Sequence, residues 1–538
     1  MWRIGATSLC LAVLALAGSL VLPMFAGETA FAQKQGSVLR IGQFDSPASM
    51  SVHEESSNTA EGPMMGVFNN LVLYDQHISQ NSLQSIQPDL ATDWSWDEDR
   101  TRLTFHLRHE VKWHDGQPFT AQDVKCTWDL LGGNSTDRLR LNPRKAWYRN
   151  IQEVTTNGDY EVTFNLKRPQ PALLALLASG WAPVYPCHVS AHDIRSHPIG
   201  TGPFKFGEFK PNEVIRVTRN LQYWKTDRPY LDGIEYPIIK NPATRVLAFV
   251  SRQIDMIQPY TLTPPLMKEV KAQAPQAICE LVPQNISRDL LINRSRPPFD
   301  DRDVRRAMAL SLDRKAFLGI LEDGQGDIGA AMMPPPEGRW GMPPEIVETM
   351  PGYGLDVQKN RADARQIMQA HGYGSERRLA VKVSTRNTAP AVNATVVLVD
   401  QLKEIYIDGE VEPVDNALWF AKVMRHDYTV ALGATFNGVD EPDQIFYETY
   451  ACGAESNPDG YCNPEIDQLI DRQSIEFDQE KRKQLVWEIE RRLAEDGARP
   501  IIYHTRAATC RQPYVNGFTS MVNSCYNGWR FEDLWLDR

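Results

Sequence analysis

Beyond its first 32 residues the sequence lacks any apolar run near the roughly 18 residues that a membrane-spanning helix requires. The one long apolar run, at residues 9–22, follows Arg3 and precedes an Ala-x-Ala pattern at residues 30–32. This order of charge, apolar core and small residues is typical of a secretory signal peptide. We therefore predict a secreted protein in which residues 1–32 are removed and Gln33 is the first mature residue. Cys10 lies inside the apolar run, too early to accept a lipid, so no lipid anchor is expected.

Basic residues are too few for a nucleic-acid-binding surface. The chain has 57 Lys and Arg against 68 Asp and Glu, a formal net charge of −11, and no basic stripe. Nucleic-acid-binding domains instead carry clustered Lys and Arg, so we predict no nucleic-acid partner. About 500 residues remain after the signal peptide, more than one hydrophobic core usually serves, and two or three domains are expected.

The sequence also lacks the motifs of secreted hydrolases. It has no G-x-S-x-G nucleophile elbow and no P-loop. His109-Glu110 is followed by His114, a spacing of five, whereas the helical zinc-protease motif places its second histidine four residues after the first. Three further histidines lie between Pro186 and Pro198, but no carboxylate or cysteine completes a ligand set of fixed geometry there. We therefore predict no catalytic residue, no metal and no cofactor.

Seven cysteines remain after residue 32, an odd number, so at least one stays unpaired in an oxidising compartment. Cys452 and Cys462 flank a short polar segment whose Asn-Pro and Asp-Gly pairs turn the chain back on itself, and we predict a disulfide between them. A zinc site is disfavoured because no second close cysteine pair lies beside them. Cys510 and Cys525 either pair across a C-terminal hairpin or remain two buried thiols.

Hydrophobic periodicity predicts a mixed α/β fold. Alternation at period two marks strands at 103–107 and 162–166 and a hairpin within 204–217. Thr120 begins a capping box, so a helix is predicted at residues 121–131. The second half of the chain alternates helices and strands, which favours a sheet covered by helices.

A long proline-containing loop is predicted at residues 324–351. It contains Met332, Met333, Trp340 and Met342, whose apolar surface is costly to leave in water. We therefore expect an ordered loop that packs on the rest of the protein.

One long string carries a family resemblance. Gly200-Thr201-Gly202-Pro203-Phe204-Lys205-Phe206 forms a turn that enters the hairpin, and the string continues through 219–224 and 229–234. With the segments 111–124, 297–314 and 452–469, it resembles family 5 of the extracellular solute-binding proteins, the peptide, opine and nickel receptors of ABC importers. The resemblance covers nearly the whole mature chain. It implies an α/β fold, a two-lobed periplasmic binding protein of type II with an extra domain inserted in the first lobe.

From this resemblance we place the domain boundaries. The first lobe comprises residues 33–74, 190–283 and 505–538, the inserted domain 75–189 and the second lobe 284–504. The implied mechanism is hinge closure, in which ligand contacts with both lobes stabilise the closed state.

The resemblance implies the periplasmic substrate-binding component of an ABC transporter. It would capture a small peptide-like, opine-like or other organic acid solute between its lobes, as a monomer, and deliver it to the permease. A binding protein that reports to a chemoreceptor is the alternative, which the sequence does not separate from import. A secreted hydrolase is the third hypothesis, and the missing motifs disfavour it.

The ligand prediction rests on a departure from the family. In the dipeptide and oligopeptide receptors that this chain resembles, an aspartate before a proline-containing turn of the second lobe pairs with the ligand's α-ammonium. When Glu441-Pro442-Asp443 is aligned with that turn, Gly438 takes the place of the aspartate, and Asp440 is the nearest substitute. A buried ammonium needs such a partner. We therefore expect an anionic or neutral ligand rather than an ordinary zwitterionic peptide.

Arg386 lies where the resembling dipeptide receptors carry an arginine for the ligand carboxylate. Its planar fork suits bidentate capture of a carboxylate, and the alternative is a surface ion pair. The other predicted contacts are polar groups and aromatic rings, namely Asn387, Trp419, Phe436, Asn437 and Asp440 from the second lobe and Thr59 and Glu61 from the first.

Overall fold

The computed structural model describes residues 33–55, 57–454 and 456–538, without the side chains of residues 416 and 417. The predicted signal peptide, residues 1–32, lies outside the described residues. Residues 34–538 form a single compact unit. Within the described ranges, no helix combines the length and the apolar character needed to cross a membrane.

The strands, in chain order, are β1 Val38–Gly42, β2 Val72–Tyr74, β3 Ile86–Pro88, β4 Ala91–Trp96, β5 Arg102–Leu107, β6 Ile151–Thr156, β7 Glu161–Leu166, β8 Phe204–Lys210, β9 Val214–Arg219, β10 Gly233–Pro237, β11 Met256–Ile257, β12 Ile278–Ile292, β13 Leu379–Arg386, β14 Ile407–Val414, β15 Val430–Phe436, β16 Ile501–Arg511, β17 Val515–Asn516 and β18 Trp535–Leu536.

The α-helices are α1 Asn58–Met64, α2 Ala121–Gly132, α3 Leu173–Leu177, α4 Ala191–Ile194, α5 Pro242–Val250, α6 Pro264–Gln273, α7 Arg302–Ser311, α8 Arg314–Leu321, α9 Pro344–Val347, α10 Val357–Ala370, α11 Ala389–Lys403, α12 Asn416–Met424, α13 Pro442–Thr449, α14 Pro464–Ser474 and α15 Gln479–Glu495. Two short 3₁₀ helices lie at Leu83–Ser85 and Lys145–Tyr148.

A mixed ten-stranded sheet runs through the molecule in the order β14-β13-β15-β12-β16-β11-β1-β10-β9-β8. Its centre is the antiparallel pair β12 and β16, which are 15 and 11 residues long. Their register is regular up to the pair Pro283 and Arg506 and resumes at Ser287 and His504, so three residues of β12 interrupt the ladder. This irregularity divides each long strand into two parts.

Two groups of buried apolar residues lie on either side of this division. One group draws on residues 39–260 and 507–536 together with Val439, and the other consists of two clusters within residues 290–503. The four-stranded sheet β4-β5-β7-β6 falls within the predicted inserted domain, but its buried residues continue into the first group. The chain is therefore built around two cores, and the boundaries of an inserted domain remain a prediction.

Local predictions agree well with the structure. Helix α2 begins after the capping box of Thr120 and Asp123 and ends before Gly133, whose left-handed backbone (φ 77°) suits glycine. The predicted hairpin is β8 and β9. Its entry turn requires Gly200 and Gly202, because a Cβ at either position would lie 1.9 Å or 2.5 Å from the backbone carbonyl oxygens of Val67 and Gly66.

The loop at residues 324–351 is ordered, as predicted. Its Met332, Met333, Trp340 and Met342 are all buried. Trp340 donates its indole N–H to the carbonyl oxygen of Asp440 (3.0 Å), so the loop packs on the turn that precedes α13.

A buried ion triad holds the start of α13. Arg482, on α15, donates to Glu441 and to Asp443, the latter at 3.2 Å from Nη2 to Oδ1. All three side chains are almost fully buried, and burial raises the pKa of Glu441 to about 7. The triad therefore fixes the N-terminus of α13 relative to α15.

The structure pairs six cysteines, as Cys126 with Cys187, Cys279 with Cys510 and Cys452 with Cys462. The pair Cys452 and Cys462 is the one expected from the sequence. Both alternatives for Cys510 were wrong, because it bonds to Cys279 across the β12–β16 ladder. Cys525 is the unpaired thiol, and it is buried.

We expect non-reducing peptide mapping to recover these three bridges and a free Cys525. A thiol reagent should leave Cys525 unmodified in the native protein and label it after unfolding, because the side chain is 2% exposed. A Cys510–Cys525 peptide, or rapid native labelling, would contradict this arrangement.

Candidate functional site

The turn at residues 437–440, between β15 and α13, lies where the two cores meet. The Asn437 N–H donates to the Asn285 carbonyl oxygen on β12 (2.9 Å). The Ser524 hydroxyl donates to the Gly438 carbonyl oxygen (2.8 Å), and the Asn523 amide donates to Asp440 Oδ2 (3.2 Å). The turn therefore contacts both a central strand and the C-terminal segment that belongs to the other core.

Trp181 fills the space beside Gly438. A Cβ at position 438 would lie 2.8 Å from the indole Cδ1 and 3.2 Å from Nε1 of Trp181. The indole also contacts Tyr526 edge-on, with ring centroids 4.9 Å apart, and the Arg144 guanidinium lies 4.2 Å above it. An aspartate at this position would have to displace the indole.

Asp440 holds its turn in place. Its Oδ2 accepts from the Arg339 N–H (2.7 Å) and from Asn523, while Oδ1 has no hydrogen-bond partner in the described part of the chain. Burial raises its pKa to about 6. The carboxyl group therefore accepts hydrogen bonds from the 324–351 loop and from the C-terminal segment. Its contact with a ligand remains a prediction.

Arg386 ends β13 and is partly buried. Burial lowers the pKa of its guanidinium, and the positive charge of Arg288 on β12 lowers it further. Among the residues that the structure describes, no carboxylate lies within ion-pair distance of this side chain. The surface ion pair that was the alternative for Arg386 is therefore not formed among the described residues.

The other second-lobe residues differ in how accessible they are. Phe436 is 43% exposed and Asn387 is exposed, so both are free to contact a ligand. The Asn437 amide donates to Asn285 Oδ1 (3.1 Å) within the protein. Trp419 lies on α12, is 4% exposed and packs in an apolar cluster with Leu291, Val423, Tyr428 and Ala431. The contact of Trp419 with a ligand therefore stays a prediction, and in the structure its ring packs among apolar side chains.

The first-lobe residues Thr59 and Glu61 lie on α1. The Thr59 hydroxyl is hydrogen-bonded to Ser57 (2.6 Å). Glu61 is fully buried, and neither carboxylate oxygen has a hydrogen-bond partner in the described ranges. Burial raises its pKa well above the ordinary value, against the opposing charges of Arg530 and Arg144.

Three residues at this junction were missed from the sequence, namely Trp181, Arg288 and Tyr526. Trp181 follows an apolar stretch, Leu173–Leu177, that reads as core. Tyr526 lies in an irregular C-terminal segment without periodicity. Long-range contacts reveal them, of Trp181 and Tyr526 with Gly438 and of Arg288 with the neighbouring strands β15 and β16, and no local pattern encodes these contacts.

Two α/β cores joined by the long central strands β12 and β16 form a two-lobed architecture. The family model for bacterial extracellular solute-binding proteins, family 5, middle, matches residues 85–457. Because this match covers more than half of the chain, the protein belongs to that family, as the sequence motifs predicted.

Curated relatives span most of the chain. The periplasmic oligopeptide-binding protein OppA of Salmonella typhimurium is 26% identical over 460 residues, which cover 80% of this chain and 81% of OppA. A probable di/tripeptide-binding protein of Pseudomonas aeruginosa is 24% identical over 467 residues, which cover 81% of this chain and 84% of that protein.

Solved structures show the same two-lobed fold. The DppA protein of Helicobacter pylori, in complex with the peptide STSA, has a TM-score of 0.81 at 20% identity and covers 94% of this chain and 99% of its own. The binding protein AgaA of A. tumefaciens R10, in complex with agropinic acid, has a TM-score of 0.79 at 21% identity and covers 93% and 99%. The predicted two-lobed α/β fold is therefore confirmed.

Proposed function

We propose that this protein is the periplasmic receptor of an ABC importer for a carboxylate-bearing organic solute, anionic or neutral overall. The observation that carries the proposal is the partly buried guanidinium of Arg386 at the end of β13, which has no ion-pair partner among the residues that the structure describes. A buried or half-buried cation without a counter-charge is costly, and a ligand carboxylate removes that cost. Relatives named for peptides and a neighbour bound to agropinic acid support the class of ligand.

The proposed route of capture is closure of the two lobes over the solute. The interrupted β12–β16 ladder near Pro283 and Arg506 is the natural bending point, and it coincides with the predicted lobe boundaries at 283/284 and 504/505. The closed monomer would then present both lobes to the permease. The proposal also includes secretion with removal of residues 1–32, and transport without catalysis.

A ligand screen by thermal shift tests this function. The panel contains mannopinic and agropinic acids, short peptides, N-acetylated peptides, neutral sugars and metal chelates. A ligand present at a hundred times its dissociation constant should stabilise the folded state by about 2.7 kcal/mol. We expect stabilisation by carboxylate-bearing members, with a decrease in the radius of gyration measured by small-angle scattering.

An unchanged radius with a tightly bound ligand would contradict lobe closure. Stabilisation by neutral sugars alone would contradict a carboxylate ligand. Conversion of any panel member into a product by the purified protein would contradict a transport role without catalysis.

A further inference from the structure

A second contact between the two cores involves α13 and α14 rather than the turn at residues 437–440. Arg168, which lies in the predicted inserted domain, donates through Nη2 to the Tyr447 hydroxyl (2.6 Å) and to Asp471 Oδ1 (3.0 Å). Its Nη1 donates to the Asp471 carbonyl oxygen (3.0 Å). The Tyr447 hydroxyl in turn donates to Asp471 Oδ1 (2.6 Å). One arginine of the first core is therefore bound to two helices of the second core.

Two further side chains of the same segment extend this contact. The Arg149 guanidinium lies 3.6 Å from the centroid of the Tyr447 ring, and its Nη2 lies 3.4 Å from Asp471 Oδ1. The Gln170 amide donates to Asp443 Oδ2 (3.0 Å). We call these six residues the latch surface, namely Arg149, Arg168 and Gln170 on one side and Asp443, Tyr447 and Asp471 on the other. The side from the first core is cationic, and the side from the second core carries two carboxylates.

The segment that carries Arg149 and Arg168 is anchored in the first core. Trp147 and Leu166 are buried in one apolar cluster with Phe68, which belongs to the predicted first lobe. Helices α13 and α14 are instead buried in a cluster of the second core. Separating an apolar cluster exposes its side chains to water, which is costly. In the proposed closure the two arginines therefore move with the first lobe, while α13 and α14 move with the second.

The latch surface can separate because water reaches its ion-paired groups. The side chains are 46% exposed in Arg149, 31% in Arg168 and 58% in Asp471. Water can take over the hydrogen bonds of such groups, so exposed ion pairs contribute little individually and separate readily. The Tyr447 residue is 5% exposed, and opening would remove the Arg149 guanidinium that covers its ring. The latch surface is thus suited to form on closure and to be rehydrated on opening.

We propose that the latch surface stabilises the closed state from outside the ligand site, so that Arg149 and Arg168 set how long any ligand stays bound. This inference rests on the proposed function and adds to it a role for the inserted domain. The residues of the latch surface are separate from the predicted ligand contacts. A contact that exists only in the closed state changes the population of that state by one factor, whichever ligand is bound. Weakening the latch surface should therefore weaken the binding of every ligand by the same factor.

The test measures the dissociation rates of two unlike probes, mannopinic acid and the tripeptide Ala-Ala-Ala, by stopped-flow tryptophan fluorescence. Arg168→Ala should accelerate the dissociation of both probes by the same factor, about 3- to 10-fold, because it removes a partly exposed charged contact that forms on closure. The combined variant Arg149→Ala and Arg168→Ala should dissociate faster still. The ratio of the two probes' rates should stay as in the wild type.

A double-mutant cycle tests whether Arg168 acts through Asp471. Asp471→Ala should give a similar acceleration, and its combination with Arg168→Ala should add little, because the contact is already lost. Arg140→Ala is the matched control. Arg140 also lies in the predicted inserted domain and is half-exposed, but it pairs with Glu54 of the predicted first lobe (3.1 Å) and should leave both rates unchanged.

Unchanged dissociation rates in Arg168→Ala, or additive effects in the cycle, would overturn the role of the latch surface. If Arg168→Ala accelerated only one of two probes that bind, the role would also be wrong, because Arg168 would then act on that ligand rather than on closure.

A distance measurement separates failure of the latch surface from failure of the proposed function. Spin labels at Glu153→Cys and Gln479→Cys, exposed sites in the predicted inserted domain and second lobe, report the distance between the lobes. If the probes bind and shorten this distance but the variants leave the rates unchanged, the latch surface is wrong while the proposed function stands. If neither probe binds, the ligand class is wrong, and the ligand-free protein tests the latch surface. Longer distances in the combined variant, and not in Arg140→Ala, would then support it, and unchanged distances would overturn it.

Discussion

Arg386→Ala should weaken the binding of a carboxylate ligand by about 10- to 150-fold, because it removes a hydrogen-bonded charged contact that is worth roughly 1.5–3 kcal/mol. The same change should leave the melting temperature of the ligand-free protein unchanged or slightly higher, because the guanidinium has no protein counter-charge to lose. Calorimetric titration of mannopinic acid and differential scanning calorimetry of the free protein measure the two effects. The combination of weaker binding with undiminished stability distinguishes a ligand contact from a structural one.

Two further variants sharpen this prediction. Arg386→Lys keeps the charge but loses the planar fork, so its affinity should lie between those of the wild type and the alanine variant. Arg378→Ala, just before the same strand, removes an arginine that is paired with Asp408 on the surface (2.9 Å) and should leave ligand affinity unchanged. If Arg386→Ala bound the carboxylate ligand as tightly as the wild type, the proposed carboxylate site at Arg386 would be wrong.

Arg482→Met should destabilise the folded protein by about 3–5 kcal/mol, because it leaves the buried carboxyl groups of Glu441 and Asp443 without their counter-charge. The effect should depend on pH. Burial raises the pKa of Glu441 to about 7, above its ordinary value, so the folded state binds protons more tightly than the unfolded state. Glu441 therefore contributes to the free energy of unfolding at low pH, and this contribution decreases as the pH rises through the pKa that Glu441 has in the folded state. The destabilisation by Arg482→Met should therefore be smaller at pH 5 than at pH 8.

Chemical denaturation at both pH values measures this effect. Arg491→Met is the matched control on the same helix, since Arg491 pairs with Glu488 on the surface (2.8 Å) and should change stability by less than about 1 kcal/mol. A triple variant, Arg482→Met with Glu441→Gln and Asp443→Asn, should recover part of the loss. A loss below 1 kcal/mol in Arg482→Met at pH 8 would show that the triad is not held as described.

Features encoded in short segments were predictable from the sequence. The capping box at Thr120 and Asp123 defines α2 because both partners lie within one helical turn. The two glycines of the 200–206 turn were recognised as a family signature, and the structure gives the cause, a close approach to the backbone of residues 66–67. The packing of the 324–351 loop followed from its buried methionines and tryptophan.

Features that depend on distant pairing were not predictable. Cys279 and Cys510 are 231 residues apart, and only the register of β12 against β16 places them side by side. Trp419 was predicted to contact the ligand because it follows a strand, and its packing against Leu291 and Tyr428 could not be read from the sequence. The contact of Trp181 with Gly438 likewise joins two residues whose local sequences carry no signal for one another.

The bond between Cys279 and Cys510 lies on the first-lobe side of the interruption in the central ladder. It prevents β12 and β16 from sliding past each other in that half of the sheet. In the proposed lobe closure, the motion would be a rotation about the irregular residues between Pro283 and Ser287, beside this covalent cross-link. A reduced protein would have a softer pivot and would sample a wider range of lobe angles, so its ligand would dissociate faster even with every binding side chain in place.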